Sequence, residues 1–206
     1  MMKKIAWITL FTTVLVWSAI SPADYLTWLL EAAPAIIGFI VLAITAKRFP
    51  LTPLSYTLIL AHCIILMVGA HYTYAEVPLF DLIRDWLAQD RNNYDKLGHF
   101  VQGFVPAIIC REILLRKQVF RSHAWQNFFI VCFCLAFSAF YELIEWWVAL
   151  AAGISAEAFL GTQGDPWDTQ SDMALALIGA VLSLVTLTNY HDKQLAALAS
   201  KKPIEA

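Results

Sequence analysis

Six apolar segments, each close to the length a helix needs to cross a lipid bilayer, constrain this chain more than any other feature. They fall at 5–20, 26–46, 52–70, 97–115, 126–150 and 172–190, and about 20 residues of helix span the roughly 30 Å hydrocarbon core. Hydrophobic residues make up 60% of the 206-residue chain and charged residues only 15%, where a soluble domain carries about 25% charged residues. So few charges cannot cover a water-facing surface, and lipid must be the main solvent. With backbone polar groups needing internal partners in lipid, the expected fold is an all-α integral membrane protein. It is a single transmembrane domain over residues 1–206, a bundle of six helices.

The first segment needs a decision. Behind Lys3 and Lys4 its apolar run is 16 residues, long for a signal peptide and short for a full span. Pro22 sits awkwardly beside a cleavage site at Ser21–Ala23, so the segment is read as an uncleaved anchor. The longest connection lies between the third and fourth segments. In it Val77, Leu79, Phe80, Leu82, Ile83, Trp86 and Leu87 interleave with Asp81, Arg84, Asp85 and Gln89. That pattern predicts a short amphipathic helix at about 77–89, lying in the membrane interface. The fifth and sixth segments are joined by the turn-rich stretch ISAEAFLGTQGDPWDTQS.

Orientation follows from lysine and arginine, which concentrate on the cytoplasmic side of short loops. Of the 14 such residues, one alternate set of loops holds Lys3, Lys4, Lys47, Arg48, Arg111, Arg116, Lys117, Arg121, Lys193, Lys201 and Lys202. The other holds Arg84, Arg91 and Lys96. Both termini are therefore expected in the cytoplasm of a bacterial cell, with the acidic loops outside. The basic residues are short juxtamembrane sets, which gives nucleic-acid binding no support. The four cysteines, Cys63, Cys110, Cys132 and Cys134, lie in or beside apolar stretches and read as packing residues, not a disulfide framework.

Ionisable side chains within spans are costly and tend to be functional. In the fourth span Asp95 and His99 are i,i+4 and His99 and Gln102 are i,i+3, so the three share a helix face. The fifth carries Glu142 and Glu145, one turn apart. The sixth opens with Asp168 and Asp172, again i,i+4, just after Asp165. Alternating topology brings these faces to one depth on the outer side. The expected cluster is Asp95, His99, Gln102, Glu142, Glu145, Asp168 and Asp172, with His71 and Glu76 arriving from the third span. Taken singly, Asp95, Asp168 and Asp172 could be helix caps, Lys96 is expected to snorkel, and His62 reads as a packing histidine. No capping role explains Glu142 and Glu145.

So many carboxylates cannot all ionise unaided at low dielectric. Either protons are shared or a cation sits among them. His99, Glu142, Glu145 and Asp172 are the candidate metal ligands; without cysteine they suit Mg²⁺, Mn²⁺, Fe²⁺ or Zn²⁺, although the spacing is no known metal signature.

The segments HYTYAEVP, RNNYDKLGHFVQGFVPA, YELIEWW and FLGTQGDPWDTQSDM resemble the YjdF-type family of bacterial inner membrane proteins over essentially the whole chain. That resemblance implies an inner-membrane location and no reaction. Residues 94–190 are similar more broadly to VanZ-like proteins, which are associated with glycopeptide resistance. By that likeness Asp95, Lys96, His99, Glu142 and Asp172 match motif positions. Glu145 stands where those proteins usually have Gln, and their arginine before the last Asp is missing. The function expected is binding of a cell-envelope or lipid-linked ligand at the outer face. One alternative is an outer-leaflet enzyme, with or without a metal, with Glu142 or Glu145 as base and Asp95, His99 and Asp172 in support. A small proton-coupled transporter is the other, weakened by how little polar chemistry continues inward.

Overall fold

In a computed structural model, which describes residues 2–152 and 162–200, the chain is helical wherever it is regular. In order the helices are α1 (Met2–Ser18), α2 (Tyr25–Thr45), α3 (Pro53–Tyr72), α4 (Pro78–Trp86), α5 (Tyr94–Arg116), α6 (His123–Ala152) and α7 (Asp168–Ala199). Part of the loop expected between the last two spans and the polar tail, with Lys201 and Lys202, lie outside the described residues.

Five of these helices, α2, α3, α5, α6 and α7, are long and apolar enough to cross a membrane. Helix α1 is shorter, at 17 residues, yet it runs beside α3 in the same direction over most of its length. Near its start the Trp7 indole donates to the Tyr56 carbonyl at 2.8 Å. At its end the Ser18 carbonyl faces His71 Nδ1 at 3.1 Å, and Trp17 lies against the His71 ring. The helix thus covers most of the depth of α3.

Local chemistry sets the helix ends. Asp24 caps α2 by accepting from the Thr27 backbone N–H at 2.7 Å, and Thr52 followed by Pro53 starts α3. Helix α3 stops where Thr73 and Tyr74 both take positive φ. The Tyr74 ring fills the space over Gly69 and Gly98, glycines at which a Cβ would meet that ring. Its packing offsets the cost of two consecutive left-handed residues.

Helix α4 is the amphipathic element expected at 77–89. Leu79, Leu82 and Trp86 project from it, and Arg84 pairs with Asp81 and Asp85 on its polar side. Apolar exposure continues around the bundle: Ile37, Ile44, Phe128, Phe140, Leu150, Ile178 and Val185 all face outward. An exposed apolar surface of this extent fits lipid and not water.

Two helices set the frame for the polar chemistry. Helices α5 and α7 share the most extensive contact in the molecule, and glycine allows it. A Cβ at Gly103 would overlap the Ala176 carbonyl, and one at Gly179 would overlap that of Phe100. Close backbone approach through small residues is how membrane helices gain packing without a hydrophobic driving force. Helix α6 packs against both, enclosing Ala107, Ile130, Cys134 and Ala180. On the other side α3, with α1 and α2 behind it, encloses Phe11, Ala35, Ile59, Met67 and Val105. All four cysteines are unpaired.

Candidate functional site

The polar residues of α5, α6 and α7 meet at the end of the bundle that carries α4. The first turns of α5 present Asp95, Lys96, His99 and Gln102. Helix α6 brings Glu142 to the same depth, and α7 opens there with Asp168 and Asp172.

His99, only 5% exposed, is the centre. Its Nε2 lies 3.5 Å from Asp95 Oδ1, 3.6 Å from Glu142 Oε1 and 4.0 Å from Asp172 Oδ2. Its Nδ1 faces Gln102 Oε1 at 3.1 Å. An amide oxygen only accepts, so Nδ1 carries the proton and Nε2 is turned to the three carboxylates. Glu142 Oε1 is buried and makes no hydrogen bond. Ligand atoms of Asp95, His99 and Asp172 all lie within 4.8 Å of one another, close enough to share one ion.

A cationic rim lies outward of this group. Asp168 accepts from Arg91 at 2.5 Å and from Lys96 at 2.6 Å, and Lys96 also reaches Asp172 Oδ1 at 3.0 Å. Lys96 therefore turns inward to two carboxylates and to Ser171; the expectation that it snorkels is corrected. The reason is geometric: Asp168 and Asp172 stand directly across the α5–α7 contact. Asp165 joins the rim 3.5 Å from Arg91. The loop before α7 is clamped to the loop before α5, because Gln163 accepts from the Asn92 N–H at 3.0 Å and donates to its carbonyl at 2.8 Å. Asn92 is itself buried and donates to the Val77 carbonyl and to Asp81.

Three other expected members enter none of these ion pairs. Glu145 is half-buried and lies within electrostatic range of His99, Glu142, Asp95 and Asp172. His71 is occupied by Ser18 and Trp17 at the top of α1, and Glu76 is exposed in the turn before α4.

Sequence reasoning missed two features. Glu31 of α2 is buried within electrostatic range of Asp95 and Glu145 at the α4 end, and its Oε2 has no hydrogen-bond partner among the described residues. Counting seven residues from the start of α2 at Tyr25 would have found it. Outside the spans, burial pushes the Tyr74 phenol well above its ordinary value, leaving that side neutral.

The second is a polar network at the opposite end. Glu112, fully buried, accepts from Thr52 N at 2.9 Å, Thr52 Oγ1 at 2.8 Å, Ser55 Oγ at 2.6 Å and Arg116 at 3.0 Å. His191 Nε2 lies 3.2 Å from it, and the other ring nitrogen faces Arg111 at 3.1 Å. Arginine only donates, so Nδ1 accepts and Nε2–H donates to Glu112. Arg111 also pairs with Asp192 at 2.7 Å. Arg111 and Arg116, read from the sequence as loop cations, are parts of α5 held by α3 and α7.

A family model described as a predicted membrane protein (DUF2238) matches residues 3–193. The inner membrane protein YjdF of Escherichia coli (strain K12) is 55% identical over 184 residues, 89% of this chain and 88% of that protein. No solved structure matches. These similarities bear on the YjdF-type likeness; the VanZ-like one rests on its motif order alone.

Proposed function

The chain belongs to the family of predicted membrane proteins DUF2238, and on that premise we propose that it is an inner-membrane binding protein whose acidic pocket engages a cell-envelope ligand. Both termini lie in the cytoplasm in this reading, by the lysine and arginine distribution, and the α4 end faces outward. The observation that carries it is His99 with Asp95, Glu142 and Asp172 gathered at one depth between three helices. Buried groups with this much unneutralised charge mark ligand or ion sites in membrane proteins. A ligand with a cationic or hydrogen-bond-donating head suits such a pocket, and α4 in the outer interface would border its approach from the lipid.

An outer-leaflet enzyme is the second reading, favoured by the unpaired Glu142 Oε1 beside His99, a pair able to pass a proton. Transport is disfavoured. The inward end of the α3–α5–α7 contact holds the Glu112 network, whose acceptors are already matched by donors within the protein.

Native mass spectrometry of the protein released from membrane vesicles tests the binding reading. A co-purifying envelope molecule should be present with the wild type and strongly reduced with Glu142→Gln/Asp172→Asn. Identical bound species in both would overturn it. Labelling of cysteines placed at Gln89 and at Gln118 from outside the cell checks the orientation: only the first should react.

A further inference from the structure

We propose that Asp95, His99, Glu142 and Asp172 are the four ligands of one divalent transition-metal ion. This deepens the reading of the pocket as a binding site and rests on it for the site's role.

Acceptor atoms from three helices converge on His99. With its Nδ1 proton given to Gln102, a neutral His99 turns a lone pair toward three carboxylates. Lys96 reaches Asp172 through Oδ1, leaving Oδ2 toward His99. Glu142 is 9% exposed, and its Oε1 is buried, aimed at His99 and without a hydrogen-bond partner.

The spacing of these atoms also suits an ion. Four ligands about 2.0–2.2 Å from one ion stand roughly 3.3–3.6 Å apart in a tetrahedron. The Nε2 distances of 3.5, 3.6 and 4.0 Å are long for hydrogen bonds but close to those edges. The widest separation allowed among the Asp95, His99 and Asp172 atoms is 4.8 Å, about 1 Å more than a tetrahedral edge, which small side-chain rotations close.

Charge and outer support agree. Three carboxylates are offset by a dication together with Lys96 on Asp172 and Arg91 4.0 Å from Asp95, two cations that Asp168 shares. Gln102 on His99 and Lys96 on Asp172 are the partners that orient metal ligands and fix the histidine tautomer. One imidazole with three carboxylates favours Zn²⁺, Mn²⁺ or Fe²⁺ over Mg²⁺, which sheds its waters reluctantly.

A proton on His99 Nε2 is the competing way to neutralise the group, and the experiment separates the two. Full-length protein in nanodiscs is stripped with chelator, incubated with Zn²⁺ or Co²⁺, and assayed by elemental analysis and visible absorption. About one ion per chain is expected, with the stronger Co²⁺ bands of four-coordinate geometry. Occupancy should fall at least tenfold in Asp172→Asn, and affinity 10- to 100-fold in Gln102→Leu. Asp85→Asn, on the exposed polar side of α4, should bind as the wild type does. No stoichiometric ion in folded wild-type protein overturns the proposal, as does equal binding by Asp172→Asn; if that variant fails to fold, six-coordinate Co²⁺ bands in the wild type do so alone. An envelope ligand still bound by chelated protein would sink the metal while sparing the pocket, and metal without any such ligand would do the reverse.

Discussion

Replacing Glu112 by Gln should destabilise the bundle more than any single change in the pocket around His99. The glutamine keeps the shape but puts an NH₂ where one carboxylate oxygen accepted. Four residues now donate to that carboxylate: Thr52 through both N and Oγ1, Ser55, Arg116 and His191. Thr52, Ser55 and His191 are fully or almost fully buried, so donors that lose the acceptor have no water to turn to. Each orphaned buried donor costs about 1–3 kcal/mol, and breaking a buried charge pair costs about 3–5 kcal/mol. We expect a loss at the upper end of that range, on the order of 10 °C in melting midpoint for a chain of this size. The assay is loss of the monodisperse peak after heating in mild detergent. A companion cycle with His191→Leu should show coupling of about 0.5–3 kcal/mol, because the two side chains share one network. A Glu112→Gln midpoint within about 2 °C of wild type, less than 1 kcal/mol by the same scale, would refute the network as a structural clasp.

Gly103→Ala pushes a methyl into the Ala176 carbonyl and should cost about 1–3 kcal/mol by overpacking. Gly38→Ala, with nothing within 4 Å of its Cβ, should be neutral or gain up to about 1 kcal/mol from helix propensity; equal melting of the two would contradict the close α5–α7 approach. The Asp24 carboxyl is held below its ordinary value by the Thr27 N–H. A depressed folded value gives stability that is present above the unfolded pKa of about 4 and lost as pH falls through the folded value. Wild type should therefore exceed Asp24→Ala by about 1 kcal/mol near neutrality and match it in strong acid; a difference independent of pH would argue against the cap. A nitroxide at Leu82 should be more accessible to oxygen than one at Asp85 in bilayers, and the reverse order would remove α4 from the interface.

The cluster around His99 was readable because its logic is short-range. Asp95, His99 and Gln102 share a face by helix geometry alone, and alternating spans carry Glu142 and Asp172 to the same depth. What escaped depends on contacts between helices. Lys96 sits where a lysine ordinarily reaches for the interface; only the glycine-permitted approach of α7 puts Asp168 and Asp172 nearer than water. Arg111 and Glu112 read as the polar end of a span, since nothing local says that α7 runs on through Tyr190 and His191 to Ala199. That extension makes the difference: it places His191 between Arg111 and Glu112 and turns a boundary into a buried core. The two ends of the α5–α7 pair then differ in kind. At the Glu112 end every acceptor of the carboxylate is matched by a donor, whereas at the α4 end the acceptors around His99 outnumber the donors. A bundle that satisfies one polar centre so completely has the means to satisfy the other. Leaving Glu142 Oε1 without a donor between two helices that could have supplied one is the mark of a site kept for something that arrives from outside the chain.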